Sequence, residues 1–273
     1  MRIVVIGGSG LVGARLVEAL RQRGHDVLSA SRRSGVNAFT GEGLSTVMAG
    51  ARVVIDVINS PSFADEAALD FFSTATRNLL TAGNAAHVKH HIALSIVGTD
   101  RLLASGYFRA KMAQEELIKR SPIPHTILRS TQFFDFLPRI AEPDADRNAV
   151  RVSSAWIQPL AAEEVAAALA DITTAPPRNG MIEHAGPERF RLDDIVRRVM
   201  EATHDRRELI SDSLARYFGA QLSEDSLIPD EGAIIGVTRF DHWLQRFTGS
   251  RSDARGSLEP SQLKYPHSVA LIE

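Results

Sequence analysis

Four consecutive β-branched residues, Ile3-Val4-Val5-Ile6, run without a break into Gly7-Gly8-Ser9-Gly10-Leu11-Val12-Gly13. A short uninterrupted apolar run is the pattern of a strand buried on both faces, as in a parallel sheet. Leu11, Val12, Leu16, Val17 and Leu20 then recur at helical spacing, and Gly24 stands where a helix C-terminal glycine belongs. Asp26 to Ser31 reads as a second strand. Strand, turn, helix and strand are complete within about thirty residues, the size of one βαβ unit.

The turn itself has a chemical use. Gly7, Gly10 and Gly13 are spaced G-x-x-G-x-x-G. Gly7 lets the chain turn sharply off the strand, Gly10 lets the backbone come close to a diphosphate, and Gly13 lets the helix pack tightly on the strand. Freed N–H groups at the helix start then face the anion, aided by the helix dipole, and Ser9 adds a hydroxyl. A glycine turn alone is equally a tight strand-to-helix connection with no ligand. Its place here, first in the chain, after a buried strand and opening an amphipathic helix, predicts dinucleotide binding. An NAD site carries Asp or Glu at the end of the second strand, about 20 residues on. This chain has Ser31-Arg32-Arg33 there. Guanidinium groups pair with a 2′-phosphate, so NADP(H) is expected ahead of NAD(H).

Further along, strand patterns at Val53–Ile58, His91–Val97, Thr126–Leu128 and Met181–Ala185 alternate with helical ones. The helices are expected at about Leu69–Leu80, Tyr107–Arg120, Glu163–Thr173 and Leu192–Ala202. That order predicts an α/β fold, a Rossmann-type doubly wound parallel sheet covered on both faces. Residues 1–200 are expected to form the Rossmann domain. Residues 201–273, with a contribution from 133–160, form a smaller, mostly helical C-terminal substrate lobe anchored by Phe240 and Trp243. Residues 249–259 read as loop.

Composition narrows the partners. The 273 residues carry 31 basic and 33 acidic side chains, a formal net charge of -2, which sets up no field for nucleic acid or anionic lipid. No apolar stretch approaches the ~20 residues of a membrane span, and the N-terminus lacks the pattern of a signal peptide. A small-molecule substrate and a cytoplasmic location are expected, with a homodimer or protein partner left open. There is no cysteine, which excludes disulfides, thiolate nucleophiles and iron–sulfur ligation. His87, His90 and His91 come without a carboxylate pattern, so no metal site is expected. Glu142, Asp144 and Asp146 read as a solvated loop.

Tyr107 and Lys111 lie four apart, on one face of a helix. Near a lysine ammonium and a positive nicotinamide ring, a phenol titrates lower and passes a proton to or from a substrate oxygen. Ser95, at the end of the preceding strand, is placed to hydrogen-bond a carbonyl or simply its own loop. Phe133, Phe134 and Phe136 line either a pocket or the seam between lobes.

Together these segments, with Ile127-Leu128-Arg129, resemble the short-chain dehydrogenase/reductase superfamily, in its atypical, NmrA-like NAD(P)-binding branch. The resemblance covers residues 1–135 well and weakens beyond. It implies that Gly7, Ser9, Gly10, Leu11, Val12 and Gly13 hold the diphosphate, and that Ser31, Arg32 and Arg33 receive the 2′-phosphate. Asp56, Val57 and Ile58 would line the adenosine side, Lys111 the nicotinamide ribose, and Thr131 and Phe133 the nicotinamide. Tyr107, Lys111 and Ser95 would be the catalytic set. Two places depart from the family pattern. Gly41-Glu42-Gly43-Leu44 stands where the family often has Gly-Asp-Leu or Gly-Asp-Val after the third strand, with the Asp against adenine, and Ile96 stands beside Ser95 where many relatives have a second hydroxyl. Three functions follow: an NADPH-dependent oxidoreductase for a small carbonyl or quinone, a non-catalytic NADP(H)-sensing regulator that binds a partner protein, or an assembly or structural subunit that holds a permanently bound nucleotide.

Overall fold

The structure, a computed structural model, describes residues 1–140 and 148–256. Its centre is a seven-stranded sheet of β1 Arg2–Ile6, β2 Asp26–Ala30, β3 Val53–Asp56, β4 His90–Ile96, β5 His125–Ser130, β6 Gly180–Ala185 and β7 Ile234–Ile235. The order is β7-β6-β5-β4-β3-β1-β2 and every pairing is parallel. β1 accounts for the sequence that announces it. Ile3 and Val5 face a layer made by α1 (Leu11–Gln22) and α6 (Ala162–Thr174). Val4 and Ile6 face the opposite layer, with α2 (Leu44–Met48) and α3 (Asp65–Ala85). Because both faces are covered, no polar residue alternates, and burying each such side chain contributes ~1.5–3 kcal/mol. α4 (Gly106–Lys119) packs Ile118 against Ala93 of β4 and Ile127 of β5.

β1 lies between β2 and β3. The crossover after β1 runs on one face and the next on the other, so a crevice opens at the carboxyl ends of β1 and β3. This is where doubly wound sheets bind ligands.

One departure from the family pattern has a structural basis, and three expectations change. No strand forms between Ala30 and Val53. Gly35, Gly41 and Gly43 all have φ between 74° and 82°, a backbone that a strand does not use. Asn37 Oδ1 accepts the N–H groups of Phe39 and Thr40, and Asn78 Nδ2 donates to the carbonyls of Ala38 and Phe39, so this stretch is pinned as a loop. The lobe boundary at residue 200 is also corrected. α7 (Leu192–Ala202) shares a core with α5 (Leu137–Ile140), Phe134, Phe240 and Trp243, whereas residues 234–235 return to the central sheet. The lobe is mixed rather than mostly helical: Ala149–Val152 pairs with Glu208–Ser211, Trp156–Ile157 with Phe190–Arg191, and Arg216–Tyr217 with Ala220–Gln221. Finally, α8 runs from Phe240 to Gly256, through part of the expected loop at 249–259. Glu142, Asp144 and Asp146 lie outside the described residues.

Candidate functional site

At the exit of β1, Gly7 and Gly13 stand where a side chain would meet backbone. Gly7 has φ 85°, and a Cβ there would meet the Val57 carbonyl oxygen at 3.0 Å. A Cβ on Gly13 would lie 2.1 Å from the Gly7 carbonyl oxygen. The N–H groups of Gly7 and Gly8 donate to the Ala30 carbonyl, and that of Gly10 donates to Gly7. Gly7 therefore shapes the turn rather than offering a donor. Gly10 is the N-cap of α1 with no side-chain cap, and Ala14 is the first residue whose N–H closes onto it, at 2.9 Å. The N–H groups of Leu11, Val12 and Gly13 thus form the unpaired first turn of the helix, the anion-receiving position.

These residues form one end of a cleft of about 560 Å³. Its wall includes Gly7, Gly10, Leu11, Val12, Gly13, Ser31, Arg32, Val57, Ile58, Ser95, Tyr107, Lys111, Thr131 and Phe133 from the sequence-derived set, with Val36, Asn37 and Ala38 beside Arg32. Ser9, Arg33 and Asp56 do not line it. Arg32 opens a short turn, Arg32–Ser34, that Ser31 and Ser34 hold by reciprocal bonds of 2.9 and 3.0 Å between Ser31 N–H and Ser34 Oγ and between Ser34 N–H and the Ser31 carbonyl. The turn brings Arg32 into the wall and leaves Arg33 outside it. Asp56 is corrected too. It is 1% exposed and faces inward, where Oδ1 accepts the Ile58 N–H and Oδ2 accepts Gln114 Nε2 at 2.9 Å. Burial pushes its carboxyl up, and the nearby Lys111 charge opposes that rise.

The inner end of the cleft belongs to Tyr107 and its neighbours. The Tyr107 ring stands among Phe63, Phe72, Phe108 and Phe218, with centroids 5.1 to 6.2 Å away. Its hydroxyl donates to Asn59 Oδ1 at 2.8 Å. Burial raises the phenol above its ordinary value, with the Asn59 bond opposing. The expectation of a phenol lowered by Lys111 is therefore corrected: desolvation dominates, and the ammonium points elsewhere. Lys111 Nζ donates to the Leu94 carbonyl at 2.9 Å and to Gln114, and lies over the Phe72 ring at 4.6 Å. Burial brings its pKa down to about 8 despite Asp56 and Glu115.

Ser95 is placed differently from the role assigned to it. Strand alternation turns it toward α4, where its hydroxyl donates to Glu115 Oε1 at 2.6 Å. Glu115 also accepts two bonds from the Arg129 guanidinium, at 2.9 and 2.8 Å, and Arg129 reaches Asp100 at 3.0 Å. The serine belongs to this buried ionic network, which ties α4 to β4 and β5. Thr131 is committed as well, donating to the Gln158 carbonyl at 2.6 Å. His90 and His91 are buried in the sheet, His90 Nε2 lies 2.9 Å from Thr126 Oγ1, and among the described residues no group of side chains is arranged to hold a metal. No described helix is long and apolar enough to cross a membrane.

Sequence reasoning missed Asn59, Gln132, Tyr217 and Phe218, all of which line the cleft. Asn59 follows a recognised strand and was within reach. Tyr217 and Phe218 come from the lobe, more than a hundred residues from the motif they face, and no spacing signals them.

A glycine-turned helix start, a cleft across the switch point and an arginine after the second strand define a dinucleotide-binding α/β protein. The chain belongs to the NAD(P)H-binding family, whose model it matches over residues 7–176. It is 25% identical over 169 residues to the photosystem II assembly factor Ycf39 of Cyanophora paradoxa, covering 56% of this chain and 53% of that one. It is 33% identical over 112 residues to a 3-beta-hydroxysteroid dehydrogenase of Mycolicibacterium neoaurum, covering 33% and 31%. The chain thus spans from about a third to half the length of these relatives. Its fold is shared with a short-chain dehydrogenase/reductase superfamily protein of Agrobacterium tumefaciens with bound NAD, at TM-score 0.68 and 16% identity over 94% of this chain and 98% of that one. An NADPH-dependent quinone oxidoreductase of Escherichia coli complexed with NADPH gives 0.62 and 16% over 90% and 99%.

Proposed function

We propose that the chain is an NADP(H)-dependent oxidoreductase that reduces a small carbonyl or quinone, with Tyr107 as the proton donor. The residues fit the cofactor: a Cβ-free cradle at Gly7 and Gly13, unpaired amides at Leu11 and Val12, and a guanidinium at Arg32. Arg32 favours the 2′-phosphate form over NAD(H). When bound, NADPH supplies a hydride to the substrate carbon. The chain's own residues do the rest. Aromatic rings at the inner end exclude water, and Tyr107 presents a hydroxyl whose proton is firmly held by burial. A phenol kept neutral is a donor, which suits reduction, where the substrate oxygen gains a proton. Asn59 fixes the direction of that hydroxyl. Lys111, released from Gln114, would reach ribose hydroxyls and draw the phenol downward.

The observation that carries this reading is the Tyr107 hydroxyl in the wall of the cleft that begins at the glycine turn. NADPH oxidation measured against aldehydes, ketones and quinones tests it. Tyr107→Phe should lower turnover by about 10²–10⁴-fold and leave NADPH affinity unchanged. Full activity in that variant defeats the mechanism.

A second reading has its own support. Lys111 and Ser95 both make internal bonds, so a protein that binds NADP(H) and reports its state to a partner uses the same cleft without turnover. A partner whose affinity is equal with and without NADPH excludes that reading.

A further inference from the structure

The inner end of the cleft holds a buried amide whose hydrogen bonds are not completed by well-formed partners. Gln132 is 7% exposed, and both Nε2 and Oε1 of its amide are without a hydrogen-bond partner. Its backbone is fixed by the Leu160 N–H, which donates to the Gln132 carbonyl at 3.0 Å. Tyr217 places its buried hydroxyl beside this amide and within electrostatic reach of Tyr107, yet neither Gln132 atom gains a well-formed bond. A buried amide without partners is costly, and a ligand that supplies an oxygen removes that cost.

The surroundings say what kind of ligand. Tyr217 and Ala220 pair across a two-residue turn of Phe218 and Gly219. Phe218 has φ 48° there, a left-handed conformation that a bulky residue adopts rarely and that favours Asn or Gly. What the strain secures is the ring, which stacks on Phe136 at 5.6 Å and reaches Phe63 at 5.3 Å. Flat apolar walls suit a flat apolar molecule. Among the described residues lining the cleft the cations are Arg32, Lys111 and Arg139. Arg32 serves the cofactor end and Lys111 is engaged with Leu94 and Gln114, which leaves Arg139 alone against the two charges of a second diphosphate.

We propose that Gln132 and Tyr217 are the contacts for a substrate oxygen, and that the cleft takes a planar, uncharged aromatic oxygen compound of the quinone or aryl ketone class. The proposal rests on the cofactor reading above and adds the substrate class and two specificity residues from opposite lobes.

Calorimetry on the full chain tests it without turnover. NADPH affinity is measured first. The protein saturated with NADP⁺, which has no hydride to give, is then titrated with 2-methyl-1,4-naphthoquinone and separately with UDP-glucose. The quinone should bind and the nucleotide sugar should not. Gln132→Leu and the near-isosteric Tyr217→Phe should each weaken quinone binding by about 2–13-fold, the equivalent of one net hydrogen bond, with NADPH affinity unchanged. Tyr217→Phe keeps the test decisive should Gln132→Leu fold poorly. Tighter binding of UDP-glucose than of quinone, or unaltered quinone affinity in both variants, overturns the proposal while leaving the cofactor reading intact. A loss of NADPH affinity in Gln132→Leu also overturns it, because the amide then reads the nicotinamide carboxamide. Absence of NADPH binding by the unaltered protein defeats both readings together.

Discussion

Gly13 is the position where the account is most exposed to a single methyl group. Gly13→Ala would put a Cβ 2.1 Å from the Gly7 carbonyl oxygen, 2.8 Å from the Gly8 Cα and 2.9 Å from the Gly7 carbonyl carbon. All three are backbone atoms, so no side chain can swing aside. Real Cβ contacts stay above 3.0 Å, so α1 must withdraw from β1 by nearly an ångström. Overpacking of this kind costs ~1–3 kcal/mol. In a chain of this size that lowers the melting temperature by about 2–4 °C per kcal/mol. The same shift moves the amides of Leu11 and Val12, and a hydrogen bond to a charged group contributes ~1.5–3 kcal/mol. Losing one such bond weakens NADPH by about 10–150-fold. Differential scanning calorimetry and NADPH titration of the variant measure both effects. If Gly13→Ala kept the wild-type melting temperature and the wild-type NADPH affinity, the diphosphate would not sit on this turn and the reasoning would be refuted.

Two further perturbations separate other parts of the account. Arg32→Ala should weaken NADPH by about 10–150-fold, the loss of a charge-assisted pair, and leave NADH affinity as it was; an equal loss for both nucleotides argues against a 2′-phosphate at this residue. The buried imidazoles of His90 and His91 are pushed down to about 4 by burial and by His125, from 6.5 in an unfolded chain. The unfolded chain therefore takes up the proton first, so stability is complete above about pH 6.5 and is lost as pH falls toward about 4. The His91 shift corresponds to on the order of 3 kcal/mol. Urea midpoints should fall steadily across that interval, and a flat profile contradicts the buried neutral imidazoles.

The parts of the fold legible in the sequence are those fixed by local rules. β1, α1 and the glycine turn are read from residues adjacent in the chain, because a strand buried on both faces and a helix with one buried stripe each leave a periodic trace. Arg32 is legible because the second strand's end is a fixed place relative to the turn. The failures have physical causes as well. Asp56 and Ser95 sit on recognised strands, but which way a side chain points depends on register and on Gln114 and Glu115 of α4, which neither strand reveals. Tyr107 was legible as a residue of the cleft and not as a weak acid, since its titration is set by the ring packing of Phe63, Phe72 and Phe218. Gln132 and Tyr217 meet only after the lobe folds back across the sheet, so their proximity has no sequence signature at all.

A crystal structure of the protein with NADPH bears most directly on the central claim. It should show the diphosphate accepting hydrogen bonds from the N–H groups of Leu11 and Val12, and the 2′-phosphate against Arg32. A nucleotide bound away from the β1 exit, or its 2′-phosphate turned from Arg32 into solvent, would contradict it.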